Sequence, residues 1–537
     1  MLSSTDALRK TQAHVMSYGI GTYALLCALA LCIRLFWTGY QSYRRLQHVP
    51  GSTSYALTRF RLAYDGWHAR SVHSIEALHQ QFGPIARVGP NRVSFNSLSA
   101  LRTIYGAGSG FERTSFYRMF DAYGTPNMFT FASGVEHRNR KKLVSHIYSN
   151  QTLMERQSVE MVKRKVQAFL TMLEAESDSA SEIFTTLHYF SFDAISEFVF
   201  GTKYGGTNAL SGNTADRRLI NDILDPARRR LAWFGIHFPA YTKWVTTRTG
   251  LAGKIVDRLG LLPMNKPFTY SGIRRHALQA FYQHKNAIEG GEEMAEDTTV
   301  IGRLFQVREK HRLSDMDIAS ECADHLLAGI DTTADSLMFL IWALSLPQHE
   351  RYQNQLRKEL LNSQADEAGW LNPRHLSQLP WLTAILKESL RLYTPLPGFE
   401  ERSALVDTVI DGLTIPANTV VGMSPYCMHR EESIFPEPRV FKPERWLADD
   451  GTLLPESAPQ NKWFWAFSNG ARMCIGMHLA NAEMLMLLAA AYRQYTTVAR
   501  HPDTTPGITS RYEIFGDESM SKMTEHECWI DFQRLSG

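Results

Sequence analysis

Apolar and polar positions along the 537 residues fall into long helical stretches, separated by short strand pairs and loops. Val15 to Ile33 is apolar or small throughout and carries no charge, and Leu35, Phe36 and Trp37 extend the run beyond Arg34. About 20 such residues span a bilayer. Residues 15–37 therefore read as a transmembrane anchor, with a short segment 1–14 before it and a linker 38–50 after it. A cleaved signal peptide would show a shorter apolar core, about 7–15 residues, behind a basic segment. Arg34, Arg44 and Arg45 on the far side outnumber Arg9 and Lys10 in front, which places residues 51–537 on the cytosolic side.

Past the anchor, a helical period runs to Gln81 and stops at Phe82-Gly83-Pro84. Residues 85–95 alternate on two arms about Gly89-Pro90-Asn91, the pattern of a hairpin, and Val409-Ile410-Asp411-Gly412 carries a second hairpin signal. Residues 111–135 are loop-like and rich in aromatics and methionines, among them Phe111, Phe116, Tyr117, Met128, Phe129 and Phe131. The basic run Glu136 to Lys142 opens a helix, and residues 151–200 are helical by period. Residues 202–215 form a polar loop. Residues 216–262 mix helix with Trp233, Phe234, Phe238, Tyr241 and Trp244, as a lid that also touches the membrane would. The acidic stretch Gly290 to Asp297 reads as a solvated loop.

The strongest pattern begins at Ser314-Asp315-Met316-Asp317, which has the form of a capping box. Ile318, Cys322, Leu326, Ile330, Leu337, Ile341 and Leu344 then recur at three- and four-residue steps until Pro347. The spacing predicts a helix of about 32 residues, roughly 48 Å long. In its middle stands Ala328-Gly329-Ile330-Asp331-Thr332-Thr333. Gly, Asp and Thr cost about 0.5–1 kcal/mol each in a helix interior relative to Ala, and a local rule broken mid-helix points to function or strain.

Composition narrows the chemistry. Charged residues are 21% of the chain and the net charge is +3, which gives no reason to expect a nucleic-acid partner. The six cysteines are sparse and lack metal-type pairs; they fit a reducing compartment better than a disulfide framework. One of them, Cys474, stands in Phe467-Ser468-Asn469-Gly470-Ala471-Arg472-Met473-Cys474-Ile475-Gly476, just before an amphipathic run from Met477. A thiol at a helix N-terminus is favoured as the thiolate, and a thiolate so held is a candidate axial ligand for a haem iron. No G-x-G-x-x-G follows a strand and no P-loop is present, so a nicotinamide or flavin site within the chain is not expected.

Three motifs stand in a fixed order: Ala328 to Thr333; Glu388-x-x-Arg391 followed by Phe441-Lys442-Pro443-Glu444-Arg445-Trp446; and the cysteine stretch. Glu-x-x-Arg alone is weak, since Glu309 to Arg312 matches as well; the order is what distinguishes it. In these motifs the chain from Val49 onward resembles the cytochrome P-450 family of haem-thiolate monooxygenases, and residues 85–95 resemble its fungal microsomal members. The resemblance implies a mainly α fold with small β-sheets, preceded here by a transmembrane helix. It implies heme b on Cys474, with Phe467 beside the sulfur, Gly470 in the turn and Gly476 where backbone meets the ring. Arg472 and Arg402 would hold propionates, and Ala328 would present a small side chain above the ring. Thr332 and Asp331 would pass protons during oxygen activation, while Glu388, Arg391 and Arg445 would lock the cysteine loop. Residues 396–400 and Tyr512 to Gly516 would line the substrate pocket, although Glu400 and Glu401 read more simply as solvated turn residues. The family's Trp and Arg on the helix crossing the haem edge are replaced by His137 and Lys141, which keeps a donor at each place.

The implied activity is oxidation of an apolar small molecule in fungal secondary metabolism. It would use dioxygen and electrons from a NADPH-cytochrome P-450 reductase, by a monomer held in the endoplasmic reticulum membrane with its catalytic part cytosolic. The remaining basic residues after Glu136 would face that acidic electron donor. A haem-thiolate isomerase or lyase needing no dioxygen, and a non-catalytic haem-binding membrane protein, are the alternatives; the intact Asp331-Thr332 pair argues against both.

Overall fold

The computed structural model describes residues 4–175, 180–246, 250–261, 268–292, 298–510 and 513–535. The architecture is mainly helical with small sheets. Its helices include α1 (Ser4–Arg45), α2 (Ser71–Phe82), α3 (Gly134–Val144), α4 (Arg156–Ala175), α5 (Ile183–Tyr204), α6 (Arg228–His237), α7 (Asp315–Leu344), α8 (Pro380–Leu392) and α9 (Met477–Gln494). A four-stranded sheet joins β1 (Ile85–Gly89), β2 (Arg92–Phe95), β3 (Arg402–Ser403) and β4 (Val420–Gly422) in the order β1-β2-β4-β3.

Helix α7 is the axis of the molecule. It runs 30 residues from a capping box in which Ser314 accepts from the Asp317 amide and Asp317 accepts from the Ser314 amide. Every apolar position of its predicted stripe, from Ile318 to Leu344, is buried. Helix α5 lies along it in the most extensive helix contact of the fold. Gly329 is where they meet: a Cβ there would come 2.5 Å from Cγ1 of Ile195. That glycine therefore answers to helix packing, a different reason from the functional one its helix-interior position suggests.

The hairpin forms as its alternation predicts, with Ile85 opposite Phe95. β2 then pairs parallel to β4, and β3 pairs antiparallel to β4 with Arg402 opposite Val421. This sheet places Arg92 on the wall of the central cavity and Arg402, distant in sequence, two strands away in the same sheet.

The N-terminus differs from the expected anchor-plus-linker. Helix α1 continues without interruption to Arg45, through Gly39, and no proline precedes Pro50 to stop it. Its end is docked: Arg87 donates to the carbonyls of Tyr43 at 3.0 Å and Ser42 at 2.8 Å, and Leu46 and Val49 are buried. Leu25–Arg45 is apolar and long enough to cross a membrane, with mean hydropathy 1.3 and none of it buried. Helix α7 passes the same test of length and composition but is a core helix, 72% buried.

Candidate active site

The cysteine loop rests on a saturated ion-pair scaffold. Helix α8 places Glu388 and Arg391 one turn apart, and both side chains are fully buried. The Glu388 carboxylate accepts from Nε and Nη2 of Arg391 (both 2.9 Å), the Lys442 amide (2.8 Å), Arg445 Nε (3.1 Å) and Trp446 Nε1 (3.0 Å). Arg391 also donates through Nη1 to the carbonyls of His429 and Pro438 at 2.8 and 2.7 Å. Burial opposes the charge on Glu388, but Arg391 and then Arg445 hold its pKa below the ordinary range. His429 carries this order to the loop. Its Nε2 accepts from the Trp465 amide at 2.8 Å, so its Nδ1 bears the proton and donates to the Arg391 carbonyl at 3.1 Å.

From Trp465 the chain turns tightly into the loop. Gly470 sits at φ 65°, and a Cβ there would lie 2.0 Å from the Tyr105 carbonyl oxygen, so this position needs glycine both for its conformation and for its neighbour. The Cys474 amide donates to the Phe467 carbonyl at 2.9 Å. The thiol is accessible only in the sense that it faces a cavity; the protein around it desolvates it and raises its pKa, while the amides of Gly476 and Met477 and the charge of Lys141 pull the other way. Those amides open α9, so the expected helix N-terminus is in place behind the sulfur. A Cβ on Gly476 would meet only the Cys474 sulfur, at 3.9 Å, so the space over Gly476 is open to the cavity.

The cavity holds about 400 Å³ between this loop and α7. Cys474, Phe467, Gly476, Ala328 and Thr332 are all on its wall, as are Leu396, Gly398, Phe399 and Glu400 of the expected substrate-pocket segment. Aromatics of residues 111–135, including Phe116, Tyr117, Phe120 and Phe129, line it too. α6 forms part of its roof: Trp233 donates to the Ala63 carbonyl at 2.8 Å, and Trp233, Ile236 and His237 face inward.

One edge of the cavity is crowded with cationic donors. Arg472 donates to the carbonyls of Ala132 (2.8 Å) and Ser133 (3.1 Å), and Arg113 to that of Phe129. Arg402 stands one layer back, donating to the Tyr117 hydroxyl at 3.0 Å and the Glu401 carbonyl at 2.7 Å. Nη1 of Arg472, Nη2 of Arg402, Nε of Arg113 and Nδ1 of His137 are buried with no hydrogen-bond partner. Burial and the mutual repulsion of these cations push the Arg472 pKa down to about 9. Burial, with Arg472 and Arg113 adding to it, pushes His137 down to about 3, so that ring is neutral. Glu400, 3.6 Å from Arg402, answers part of the positive charge. Buried like charges with donors to spare are costly unless an anion joins them. A thiol under the middle of an apolar-walled cavity and unanswered cationic donors at one edge fit a flat apolar group bearing two carboxylates on that edge, which is the shape of heme b.

On α7, Thr332 donates to the Ala328 carbonyl at 3.0 Å, the back-bond that a mid-helix Thr favours. Asp331 is not on the cavity wall. It lies on the adjoining flank, where Arg228 of α6 donates to it at 3.0 Å. Glu483 of α9 also faces the cavity; burial pushes its pKa to about 8, against a hydrogen bond with Thr333.

Several residues have contacts beyond or other than those expected. Lys141 is first a fastener of the cysteine loop, donating to the carbonyls of Ala471 (3.1 Å) and Met473 (2.9 Å); one N–H is left for a propionate. Glu401 is no solvated turn residue: it is buried, paired with Arg92 and accepting from Thr114 at 2.7 Å. Glu400 is half-buried on the cavity wall. Tyr512 lies outside the described residues, and Glu513–Phe515 forms a short strand. Residues 293–297 of the acidic loop also lie outside them. Sequence reading missed Arg113, a charge inside an aromatic run, and His429, which sits beside no motif of its own.

The comparisons with known proteins agree with this geometry. The family model described as Cytochrome P450 matches residues 61–512. Cytochrome P450 monooxygenase aflV of Aspergillus parasiticus is 28% identical over 475 residues, covering 88% of this chain and 89% of its own. Cytochrome P450 monooxygenase stcB of Emericella nidulans is 28% identical over 459 residues, covering 84% and 82%. Cytochrome P450 monooxygenase cypX of Dothistroma septosporum is 26% identical over 502 residues, covering 92% and 93%. The chain belongs to the cytochrome P450 family, as a monooxygenase that works with a haem held through a cysteine thiolate.

Proposed function

We propose that this chain is a membrane-anchored P450 that oxidises an apolar small molecule of fungal secondary metabolism, fed with electrons by a separate NADPH-dependent reductase. The observation that carries the reading is the single cavity that has the Cys474 thiol on one wall and Ala328 with Thr332 on another. Heme b bound there supplies the iron at which dioxygen is reduced and one oxygen atom is passed to the substrate. The remaining work belongs to the chain. Cys474 gives the thiolate, steadied by the amides of Gly476 and Met477. Arg472, Arg113 and the neutral His137 ring take the propionates, with Arg402 behind Tyr117 and the free N–H of Lys141 in support. Phe467 shields the sulfur from water, and Ala328 leaves room over the ring. Thr332 Oγ1 delivers protons received from Asp331, and Phe116, Phe120, Phe129, Leu396 and Phe399 orient an apolar substrate.

Helix α1 is the anchor. Exposed Phe60, Tyr64 and Trp67, the last packed edge-on against Trp233 of α6, and exposed Phe238, Tyr241 and Trp244 supply aromatic surface suited to the same membrane. On the other face, exposed Arg138 and Lys142 of α3 lie beyond the loop-fastening Lys141, where an acidic electron donor would dock. Full-length protein supplied with such a reductase should consume NADPH and dioxygen in step with product formation. Thr332→Ala should keep its haem and lose most product to hydrogen peroxide. Unchanged coupling in that variant removes the proton-delivery role, and turnover without NADPH removes the reductase.

A further inference from the structure

Behind the cavity, α7 carries a second carboxyl for which the oxidation has so far no use. Asp335 follows Asp331 by one helical turn, so the two side chains are neighbours on the helix surface. Asp335 is 5% exposed, and its Oδ1 is buried with no hydrogen-bond partner. His188 of α5, itself 2% exposed, presents Nε2 to that oxygen from 3.7 Å. The other ring nitrogen, Nδ1, lies 2.7 Å from the Phe184 carbonyl. A carbonyl only accepts, so Nδ1 carries the ring proton and Nε2 offers a lone pair. At 3.7 Å this is an approach rather than a hydrogen bond, and a lone pair facing a buried carboxyl favours the protonated acid over a bare carboxylate.

The surroundings agree. Burial pushes the Asp335 pKa well above the usual carboxylate range, the charge of Asp331 adds to this, and Arg228 works against it. Burial lowers His188. The groups facing the cluster are Arg228 from α6, Asp331 from α7, His188 from α5, and His526 from the C-terminal segment. The His526 ring stacks on Phe184 at 4.7 Å and its Nδ1 donates to the Leu224 carbonyl at 2.9 Å. Asp331, by contrast, is ion-paired with Arg228 at 3.0 Å. A carboxylate can pass on protons only as fast as it receives them.

We propose that Asp335 is the proton store for Asp331. Its O–H breaks, an O–H forms on the Asp331 carboxylate, and the negative charge moves one turn along α7 until solvent on the His526 side returns a proton to Asp335. The inference rests on the assignment of Asp331 and Thr332 to proton delivery made above. His188 is a positioning residue: its lone pair keeps the proton on the near oxygen of Asp335.

The test is infrared spectroscopy of the full-length haem-loaded protein, joined to the share of NADPH that ends as hydrogen peroxide. Beside the band of protonated Glu483, which Glu483→Gln removes, wild type should show a second protonated-carboxyl C=O band that shifts in D2O. Asp335→Asn should lose that band and raise the peroxide share severalfold with haem content unchanged, and Asp335→Glu should restore both. His188→Leu should keep the band but move its frequency, which supports the proposal even if Asp335→Asn folds poorly. Persistence of the whole band in Asp335→Asn, or an unmoved band in His188→Leu, overturns it. If Asp331→Asn and Thr332→Ala uncouple the enzyme while Asp335→Asn does not, the store fails and the functional reading stands. If all three stay coupled, the proton-delivery role of Asp331 and Thr332 fails with it.

Discussion

The scaffold under the cysteine loop and the cationic edge of the cavity are built from the same residue type and end in opposite states. Under the loop, Glu388 accepts from Arg391, Arg445, Trp446 and the Lys442 amide, and the free end of Arg391 finds the carbonyls of His429 and Pro438. At the cavity edge, Arg472, Arg402, Arg113 and His137 each keep a buried nitrogen without a hydrogen bond, that of Arg402 only loosely ion-paired with Glu400. Under the loop the arginine donors are met by protein; at the cavity edge the spare donors stand beside an apolar-walled cavity, where a ligand can reach them. This contrast separates the residues that shape the site from those proposed to hold its cofactor.

The largest effect is expected under the loop. Removing one partner from a buried ion-pair network costs about 3–5 kcal/mol, so Glu388→Ala and Arg391→Ala should yield destabilised protein without haem. Denaturant unfolding and the haem-to-protein ratio check this; normal haem content in both would show that the network does not hold the loop. The same network sets an acid limit. Because the Glu388 pKa is lowered in the fold, its contribution is complete above the unfolded value, about 4.3, and is lost as pH falls through the folded one.

At the cavity edge the effect should be smaller and of another kind. A hydrogen bond to a charged group is worth about 1.5–3 kcal/mol, so Arg113→Ala and Arg472→Ala should each fold, yet release haem to a scavenger protein faster than wild type. If either variant unfolds as Glu388→Ala does, the two regions do not differ as described.

Much of this was legible in the sequence where one local pattern sufficed. The period of α7, its capping box, the 85–95 hairpin and the glycine turn before Cys474 each follow from short-range rules, and the structure realises them. What the sequence hid depends on contacts between distant segments. Gly329 answers to Ile195 on α5, Lys141 to carbonyls of the cysteine loop, and Glu401 to Arg92 across the sheet. Arg113 carries no periodic signal within its aromatic run, and only the folded chain sets it beside Arg472 and His137. The continuation of α1 to Arg45 was hidden for a similar reason: Arg87, in β1, receives its end.

The central claim is that Cys474 supplies the sulfur to the haem iron. It is tested most directly by the carbon monoxide difference spectrum of the reduced protein. Wild type should show the thiolate-type band, and Cys474→Ser should lose it while any haem that remains bound absorbs as a non-thiolate form. A thiolate-type band surviving in Cys474→Ser would contradict the account.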